Sequence, residues 1–312
     1  MVNTLFHIFI FPGFLFACVS GLAAEYIDRK LYAKMQNRIG PPWFQPVADC
    51  IKLFAKEVII PQQADSRIFT FVPVLAFAAV LTSFFYIPLW NVKTLSSFNG
   101  DLIVVLYLLT IPTLTFFLGG WYARSVFSMI GAARSIIQLF AYEIPLFISI
   151  LAVAMLADTL SLSEITVFYS KHLWLILINL PGFVVAIIAL IGKLEKAPFD
   201  TPEAETEIVA GSFTEYSGRP LAFFKLAIDM ELVAGSSLLA AIFLPFGLNI
   251  HPVPGFMLYL IKVLFVVALI SVSRTIFARL RIDQMINFCW KYVAPIAFLQ
   301  LVLDLFVKGL IR

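Results

Sequence analysis

The sequence predicts an all-α integral membrane protein, with about eight transmembrane helices and amphipathic surface helices in long cytoplasmic loops. Of its 312 residues, 61% are hydrophobic and only 13% are charged, whereas soluble domains have about 25% charged residues. The apolar runs are continuous over about twenty residues, the length that crosses a bilayer as a helix. They do not alternate with polar residues, which excludes a membrane β-barrel.

The apolar runs form a single membrane domain over residues 1–312. The eight predicted spans are 4–24, 69–90, 102–122, 136–157, 173–192, 221–246, 256–273 and 290–307. Lys and Arg concentrate in the loops that follow the odd-numbered spans, whereas the other loops hold only Lys93 and Lys171. By the positive-inside rule, the long charged loops are cytoplasmic and both termini lie outside.

Composition excludes several classes of site. The three cysteines are far apart and form no CxxC motif, so neither a disulfide framework nor an iron–sulfur site is indicated. The three histidines are equally dispersed, and no metal site can be recognised. A net charge of +3, scattered along the chain, gives no indication of nucleic acid as a partner. We therefore expect no cofactor in this chain.

The segment 193–220, KLEKAPFDTPEAETEIVAGSFTEYSGRP, lies between two predicted spans and is unusually acidic. Its acids are Glu195, Asp200, Glu203, Glu205, Glu207 and Glu215. Thr201 and Pro202 predict the start of a short helix, on which Asp200, Glu203 and Glu207 share one face while Glu205 points away. A solvated acidic loop is the alternative, but the membrane flanks and the adjacent Ile208 indicate a poorly hydrated site.

The first long loop, residues 25–68, combines a turn-rich piece at 38–46 with a predicted surface helix at 47–59. Apolar residues recur on one face of that helix, and Asp49 and Lys52 lie on the other. Two interpretations are equally compatible with this pattern. The helix could rest on lipid, or it could form a rim that docks another subunit.

Acids also lie inside predicted spans, where a charge costs at least ~2.5–3.5 kcal/mol. Glu143 lies in the fourth span, Asp229 and Glu231 lie in the sixth, and Glu25 ends the first. Lys225 precedes Asp229 by one helical turn, so we expect these two to pair, whereas Glu231 has no local partner. With the acidic segment, these carboxyls could form a proton path from the cytoplasmic surface to mid-membrane. The alternative is that each Glu pairs with a base and serves assembly only.

Four motifs carry a family resemblance. They are RIGP at 38–41 with QPVADCIKLFAKE at 45–57, AARSIIQLFAYE at 132–143, EKAPFDTPEAETEIVAGSFTEYSG at 195–218, and RLRIDQMINFCWK at 279–291. On these motifs the chain resembles the membrane subunit of the respiratory complex I family that joins the redox arm to the membrane arm. The same family supplies a membrane component to membrane-bound nickel–iron hydrogenases and related ferredoxin-linked complexes.

The resemblance implies a non-catalytic anchor and coupling subunit of a proton- or sodium-translocating oxidoreductase in a prokaryotic plasma membrane. The implied partners are lipid, antiporter-like membrane subunits, and an iron–sulfur subunit and a large catalytic subunit on the cytoplasmic face. Iron–sulfur clusters, and nickel–iron in the hydrogenase branch, would lie in those partners. The resemblance places an ion or proton pathway at Glu143, Glu203, Glu205, Glu207 and Glu215, and the acids of the spans add Glu25, Asp229 and Glu231. It places a subunit-interface platform at Arg38, Asp49, Lys52, Arg279, Arg281 and Asp283, to which we add Pro41, Trp43 and Phe44.

Departures from the family pattern bear on the branch. Only Pro42-Trp43-Phe44 separates RIGP from QP, where the quinone-reducing branch has a longer insertion that helps to shape a quinone chamber. Asp28 and Glu195-Lys196 also differ from the usual residues of that branch. We therefore expect a ferredoxin-linked hydrogenase or sulfur-reducing relative. The alternatives are the quinone-site subunit of an NADH- or ferredoxin-quinone oxidoreductase, a stand-alone ion transporter, for which no internal repeat is seen, and a passive anchor.

Two expectations concern the platform. Trp43 and Phe44 form a rigid apolar edge that we expect to be buried against lipid or the cluster-bearing subunit, with no room for a long-tailed quinone. Arg279, Arg281 and Asp283 are expected to contact a partner subunit or the acidic segment.

Overall fold

The computed structural model describes residues 2–89, 94–247 and 252–311, with side chains except at residues 2–4, 205, 206, 252 and 311. The helices are α1 Val2–Phe9, α2 Phe14–Met35, α3 Gln45–Ala55, α4 Ser66–Ser83, α5 Asp101–Tyr122, α6 Val126–Ala157, α7 Leu162–Lys171, α8 Leu175–Ile178, α9 Leu180–Lys193, α10 Glu205–Ile208, α11 Gly218–Phe243, α12 Pro252–Ile276, α13 Ile282–Phe288 and α14 Ala294–Ile311. A 3₁₀ turn, Gly211–Phe213, precedes α11, and a π turn, Cys289–Val293, joins α13 to α14. The described residues contain no strand, and the predicted all-α membrane class is confirmed.

Seven helical stretches within the described residues are long and apolar enough to cross a membrane. They are Leu5–Met35, Ser66–Ser83, Asp101–Tyr122, Val126–Ala157, Gly218–Phe243, Val253–Ile276 and Ile282–Leu310. The predicted span 173–192 is instead broken into the 4-residue α8 and the 14-residue α9, since Pro181 begins a new helix after Asn179. With 14 residues, α9 is about 21 Å long, less than the ~30 Å hydrocarbon core.

Helix α2 continues well past the predicted end of the first span, so the expected loop start at residue 25 is wrong. The charged residues 25–35 end the apolar run, but they are good helix formers. Glu25 and Arg29 also form an i,i+4 ion pair at 2.7 Å. Glu25 and Asp28 are therefore presented from a rigid helix.

Helix α11 lies at the centre of the bundle. In its most apolar stretch 83% of the residues are buried, compared with 22% in the corresponding stretches of Leu5–Met35 and Ile282–Leu310. It packs against α2, α3, α4 and α12. One end of the bundle is called the charged end. It is formed by the last turns of α2, helix α3, the start of α11, the end of α12 and the start of α13.

Residues 194–217, called the acidic loop below, are packed into the charged end. The predicted helix start at Thr201 is wrong, because residues 201–204 are not helical and α10 is a single turn. The Thr201 side chain caps no helix and binds buried Gln138 of α6 instead. Gln138 accepts a hydrogen bond from Thr201 Oγ1 at 2.6 Å and donates to the carbonyls of Gly192 and Phe199. The predicted shared face of Asp200, Glu203 and Glu207 therefore does not form.

Two glycines allow the acidic loop to approach α6 closely. Gly211 has φ +53°, a left-handed conformation that favours glycine. A Cβ on Gly131 of α6 would lie 2.4 Å from the backbone nitrogen of Ser212. At the other end of the loop, the Tyr216 ring stacks on Phe69 of α4 at 4.0 Å. The loop is a packed wedge between helices.

Candidate functional site

A cavity of about 730 Å³ opens at the charged end, between α2, α3, α11, α12 and the acidic loop. More than half of its lining residues are charged. They are Glu25, Arg29, Asp49, Lys52, Lys56, Glu195, Lys196, Asp200, Glu203, Lys225, Asp229, Arg274 and Arg279. The volume is typical of a ligand site, but such sites are lined mainly by apolar and aromatic residues. This lining fits water and ions better than an apolar ring or tail.

Asp28 is the buried centre of an ion-pair network on one wall of this cavity. Its carboxylate contacts Lys196 Nζ at 2.5 Å and an Arg274 nitrogen at 2.7 Å, and it accepts a hydrogen bond from Ser271 Oγ at 2.6 Å. Asp28 is fully buried, and its partners come from α12 and the acidic loop. A buried carboxylate with two cations and a hydroxyl is well compensated.

Lys196 continues this network toward α3. It contacts Glu25 at 3.1 Å, Glu25 contacts Arg29 at 2.7 Å, and Arg29 contacts Asp49 at 3.2 Å. Burial alone would lower the pKa of Lys196, but the attraction of Glu25 and Asp28 outweighs burial and raises it. The charge chain, defined as Arg274, Asp28, Lys196, Glu25, Arg29 and Asp49, thus ties α12, the acidic loop, α2 and α3 together.

Lys225 pairs with an acid of the acidic loop and not with Asp229. Glu203 pairs with Lys225 at 3.1 Å, so the predicted Lys225–Asp229 pair is wrong. Helical side chains lean toward the helix N-terminus, which directs Lys225 to the loop and away from Asp229. Asp229 is partly buried and lines the cavity, and it forms no ion pair with any described residue.

Arg279 connects the last loop to the acidic loop, as predicted for the platform motif. Its guanidinium lies 3.1 Å from Asp200 and 3.9 Å from Glu207, and Glu207 also pairs with Arg134 at 2.6 Å. The hydrogen bond and charge of Arg134 lower the pKa of Glu207, whereas burial raises that of Asp200 despite Arg279. The segment 279–283 is therefore coupled to the acidic loop directly.

Glu195 was not among the predicted pathway residues, yet it is the most deeply buried of the acidic-loop carboxyls whose side chains are described. It is 7% exposed, and neither carboxylate oxygen has a hydrogen-bond partner among the described residues. Burial, followed by the repulsion of Glu203, raises its pKa to about 8, while the nearby Ser135 hydroxyl opposes the shift without reaching hydrogen-bond geometry. The sequence counted Glu195 among the loop acids but did not reveal its burial.

The raised pKa of Glu195 predicts that the stability of the folded protein depends on pH. A folded-state pKa near 8, above the ordinary value, means that the folded protein loses stability as pH rises from about 4.5 to about 8. Glu195→Gln should remove that loss, which amounts to a few kcal/mol at most. Melting temperatures of the purified membrane complex at pH 5 and pH 9 measure it.

Glu207→Gln is the matched control for Glu195. The pKa of Glu207 is lowered, so its contribution has the opposite sign and is lost as pH falls below about 4.5. Equal pH dependence of melting in the wild type and in Glu195→Gln would contradict the assignment of Glu195 as a carboxyl that titrates near pH 8.

Deeper in the bundle lies the membrane triad, defined as Glu143 of α6, Lys193 of α9 and Glu231 of α11. Lys193 Nζ contacts Glu143 Oε2 at 3.4 Å, and Glu143 Oε1 has no described hydrogen-bond partner. Glu231 is fully buried, and both of its oxygens lack a partner among the described residues. It lies within electrostatic range of Lys193 and Glu143. One ammonium group can balance the charge of only one carboxylate, so the triad is electrically neutral when the other carboxyl carries a proton.

Sequence reasoning counted Lys193 only as a cytoplasmic base and missed its role in the triad. Its side chain is 2% exposed and lies over the Tyr142 ring, 5.6 Å from the centroid. The available signal was its position at the end of an apolar run, twelve residues after Pro181. The predicted pathway acids Glu143 of α6 and Glu231 of α11 are brought together around Lys193 of α9.

Two other predicted pathway residues fall outside this arrangement. Glu215 is partly buried, does not line the cavity and has no ion pair with a described residue. The side chain of Glu205 lies outside the described residues. Among the described residues, no group of His, Cys, Asp and Glu is arranged to hold a metal ion.

The predicted platform residues form an outer rim at the charged end. Arg38, Lys52, Arg281 and Asp283 are exposed, while Asp49 lies inside the charge chain and the Pro41 carbonyl accepts a hydrogen bond from Lys30. Trp43 is 75% and Phe44 is 49% exposed, and neither lines the cavity. Their predicted burial by lipid or a partner stays a prediction.

These features find a match among known proteins. A family model described as NADH dehydrogenase matches residues 7–305. The chain belongs to this family. The H subunit of the NADH-quinone oxidoreductase from Carboxydothermus hydrogenoformans is 34% identical, over 95% of this chain and 85% of the relative. The corresponding protein of Bacillus cereus (strain AH187) is 36% identical, over 97% and 96%.

A solved structure supports the same assignment. A chain of the membrane-bound sulfane sulfur reductase, an archaeal respiratory membrane complex, superimposes with a TM-score of 0.84 at 29% identity, over 93% of this chain and 96% of that one. The predicted family membership is thereby confirmed. The chain is a multi-pass membrane subunit related to those of respiratory complexes.

Proposed function

We propose that this NADH dehydrogenase family member is the anchor and coupling subunit of an ion-translocating oxidoreductase, with no redox cofactor of its own. The observation that carries the proposal is the series of carboxyls that leads from the cavity into the bundle. Glu203 and Glu195 stand at the inner wall of the cavity, and Glu231 and Glu143 lie beyond them around Lys193. Closely spaced carboxyls that share a proton can pass it from one to the next along the series.

The charged end would face the cytoplasm, because Lys and Arg concentrate there. On that side we propose an iron–sulfur subunit and a large catalytic subunit, docked on the rim that includes Arg281 and Asp283. Arg279 would transmit their movements, since it is bound to Asp200 and Glu207 of the acidic loop. A displacement of segment 279–283 would then change the charge balance beside Glu203 and Glu195. Antiporter-like subunits and lipid would cover the exposed apolar helix faces.

For the redox branch, we propose a sulfur-reducing or hydrogenase-type complex driven by ferredoxin. The likeness to the sulfane sulfur reductase chain, the short 42–44 segment and the charged cavity support this choice. Reduction of a quinone is the second candidate, because the curated relatives are named for that acceptor. Quinone retained by the purified complex, or reduced by it, would favour that second candidate.

The docking half of the proposal is tested by Arg281→Glu in an affinity-tagged chain. Arg281 is exposed, so the folded chain should persist in membranes while the soluble iron-containing subunits are lost from the purified complex. Lys171→Glu is the matched control, because Lys171 is exposed at the opposite end of the bundle. Subunit composition and iron and nickel content are measured by gel and metal analysis. A complete, active complex in Arg281→Glu would overturn the docking assignment.

A further inference from the structure

A second buried polar cluster lies at the end of the bundle opposite to the charged end. Asp304 and Gln300 of α14 are each 1% exposed, and Asn179 and Tyr169 beside them are 2% and 1% exposed. Asp304 lies six residues before the end of the span Ile282–Leu310, about 9 Å along the helix axis. This cluster, Tyr169, Asn179, Gln300 and Asp304, has no part in the function proposed above.

The hydrogen bonds of the cluster have a fixed direction. Gln300 Nε2 donates to Asn179 Oδ1 at 2.8 Å and to Asp304 Oδ1 at 3.0 Å. Asn179 Nδ2 donates to the Tyr169 hydroxyl at 3.2 Å, and Tyr169 donates to the Val153 carbonyl at 3.1 Å. Both amide hydrogens of Gln300 are used in these two hydrogen bonds. Two acceptors, Gln300 Oε1 and Asp304 Oδ2, are left without a donor among the described residues.

The charged and titratable groups around Asp304 do not neutralise it. On α14 the nearest is Lys308, but its Nζ binds Asp158 Oδ1 at 2.6 Å and the Met155 carbonyl at 2.8 Å, both at the end of α6. From α7 the facing group is Tyr169, whose pKa is raised by burial, so its phenol is neutral and supplies no positive charge. No cation among the described residues lies within ion-pair distance of Asp304. An ionised carboxylate buried there would be strongly unfavourable.

We propose that Asp304 and Gln300 form a proton-binding site at this opposite end, with the proton on Asp304 Oδ2. A proton supplies the donor that the cluster lacks and removes the uncompensated charge. A hard divalent metal ion fits less well, because it needs about six oxygen ligands and the cluster offers two free ones.

The proton reaches the site from the opposite end of the bundle. Gln300, Asp304 and Lys308 are spaced at i, i+4 and i+8 and form one polar stripe on α14. The stripe leads to the Lys308–Asp158 pair, whose side chains are 20% and 60% exposed. Toward the charged end, the 14 residues of α9 separate Asn179 from Lys193 by about 20 Å. The site is therefore distinct from the membrane triad.

Infrared spectroscopy of the purified complex at neutral pH, in H₂O and then in D₂O, tests the proposal. We expect the carbonyl band of a protonated carboxylic acid, shifted by D₂O and lost in Asp304→Asn. Gln300→Leu should keep the band but move it, because Asp304 Oδ1 loses the hydrogen bond that Gln300 Nε2 donates to it. Glu143→Gln, in the membrane triad, should leave it unchanged.

Two further measurements keep the outcome decisive. Lys308→Met should slow deuterium exchange of the band, because the polar stripe is interrupted. If Asp304→Asn fails to accumulate, the shift in Gln300→Leu identifies the band in a protein that retains Asp304. The proposal is overturned if Asp304 gives a carboxylate band at neutral pH, or if its band responds to sodium concentration and not to pH.

Discussion

Replacing Glu143 by Gln is expected to lower sharply the number of ions moved per electron in sealed vesicles. Gln keeps the size of the side chain and its hydrogen bonding toward Lys193, but it cannot release a proton. Assembly and electron transfer by the soluble arm to artificial carriers should be largely retained, because Glu143 lies inside the bundle and away from the exposed rim. The ratio of ions to electrons is the direct measurement.

Glu57→Gln provides the matched control for this experiment. Glu57 is an exposed carboxyl at the charged end, and it does not line the cavity. The control should pump as the wild type does. An unchanged ratio in Glu143→Gln would mean that the membrane triad is structural and that the chain is a passive anchor.

Lys193→Met extends the same test to the cation of the triad. Without Lys193, Glu143 and Glu231 lose the only described ammonium group near them and should both be held protonated. Pumping is then expected to fail as in Glu143→Gln, because in neither variant can position 143 release a proton. The ratio of ions to electrons in sealed vesicles is again the measurement, and an unchanged ratio would mean that Lys193 only stabilises the fold.

The membrane-spanning helices were predictable from the sequence, because each of them is a continuous apolar run. Seven of the eight predicted spans correspond to long apolar helices, because continuous apolar runs have few alternatives in a bilayer. The helix ends were less predictable, since charge ends an apolar run without ending a helix. Helix α2 shows this, as its charged residues 25–35 remain helical through the Glu25–Arg29 pair.

The partners of the charged side chains could not be predicted, because they come from distant parts of the sequence. Lys225 was expected to pair with Asp229 one turn away, yet the leaning of helical side chains sends it to Glu203. The predicted loop 25–68 includes Asp28, yet Lys196 and Arg274 bind this carboxylate from 168 and 246 residues away. Thr201 was expected to cap a helix, yet its hydroxyl donates to Gln138, which is 63 residues away in the sequence. The sequence identifies the charged residues, but tertiary packing decides which groups each of them contacts.

Lys196→Met is expected to destabilise the charged end by about 3–5 kcal/mol, since it removes one partner from a buried ion-pair network. Asp28 would keep Arg274, but Glu25 would keep only Arg29, and both acids would remain next to each other without the cation between them. Lys196→Arg should recover most of the lost stability, and Lys196→Met combined with Asp28→Asn should recover part of it, because each change reduces the unpaired negative charge.

The control is Lys225→Met, whose pair with Glu203 is 45% exposed on the lysine side and is worth about 0–1 kcal/mol. Membrane yield and melting temperature of the four variants are the measurements. Equal stability of Lys196→Met and Lys225→Met would show that the charge chain does not hold the acidic loop in place.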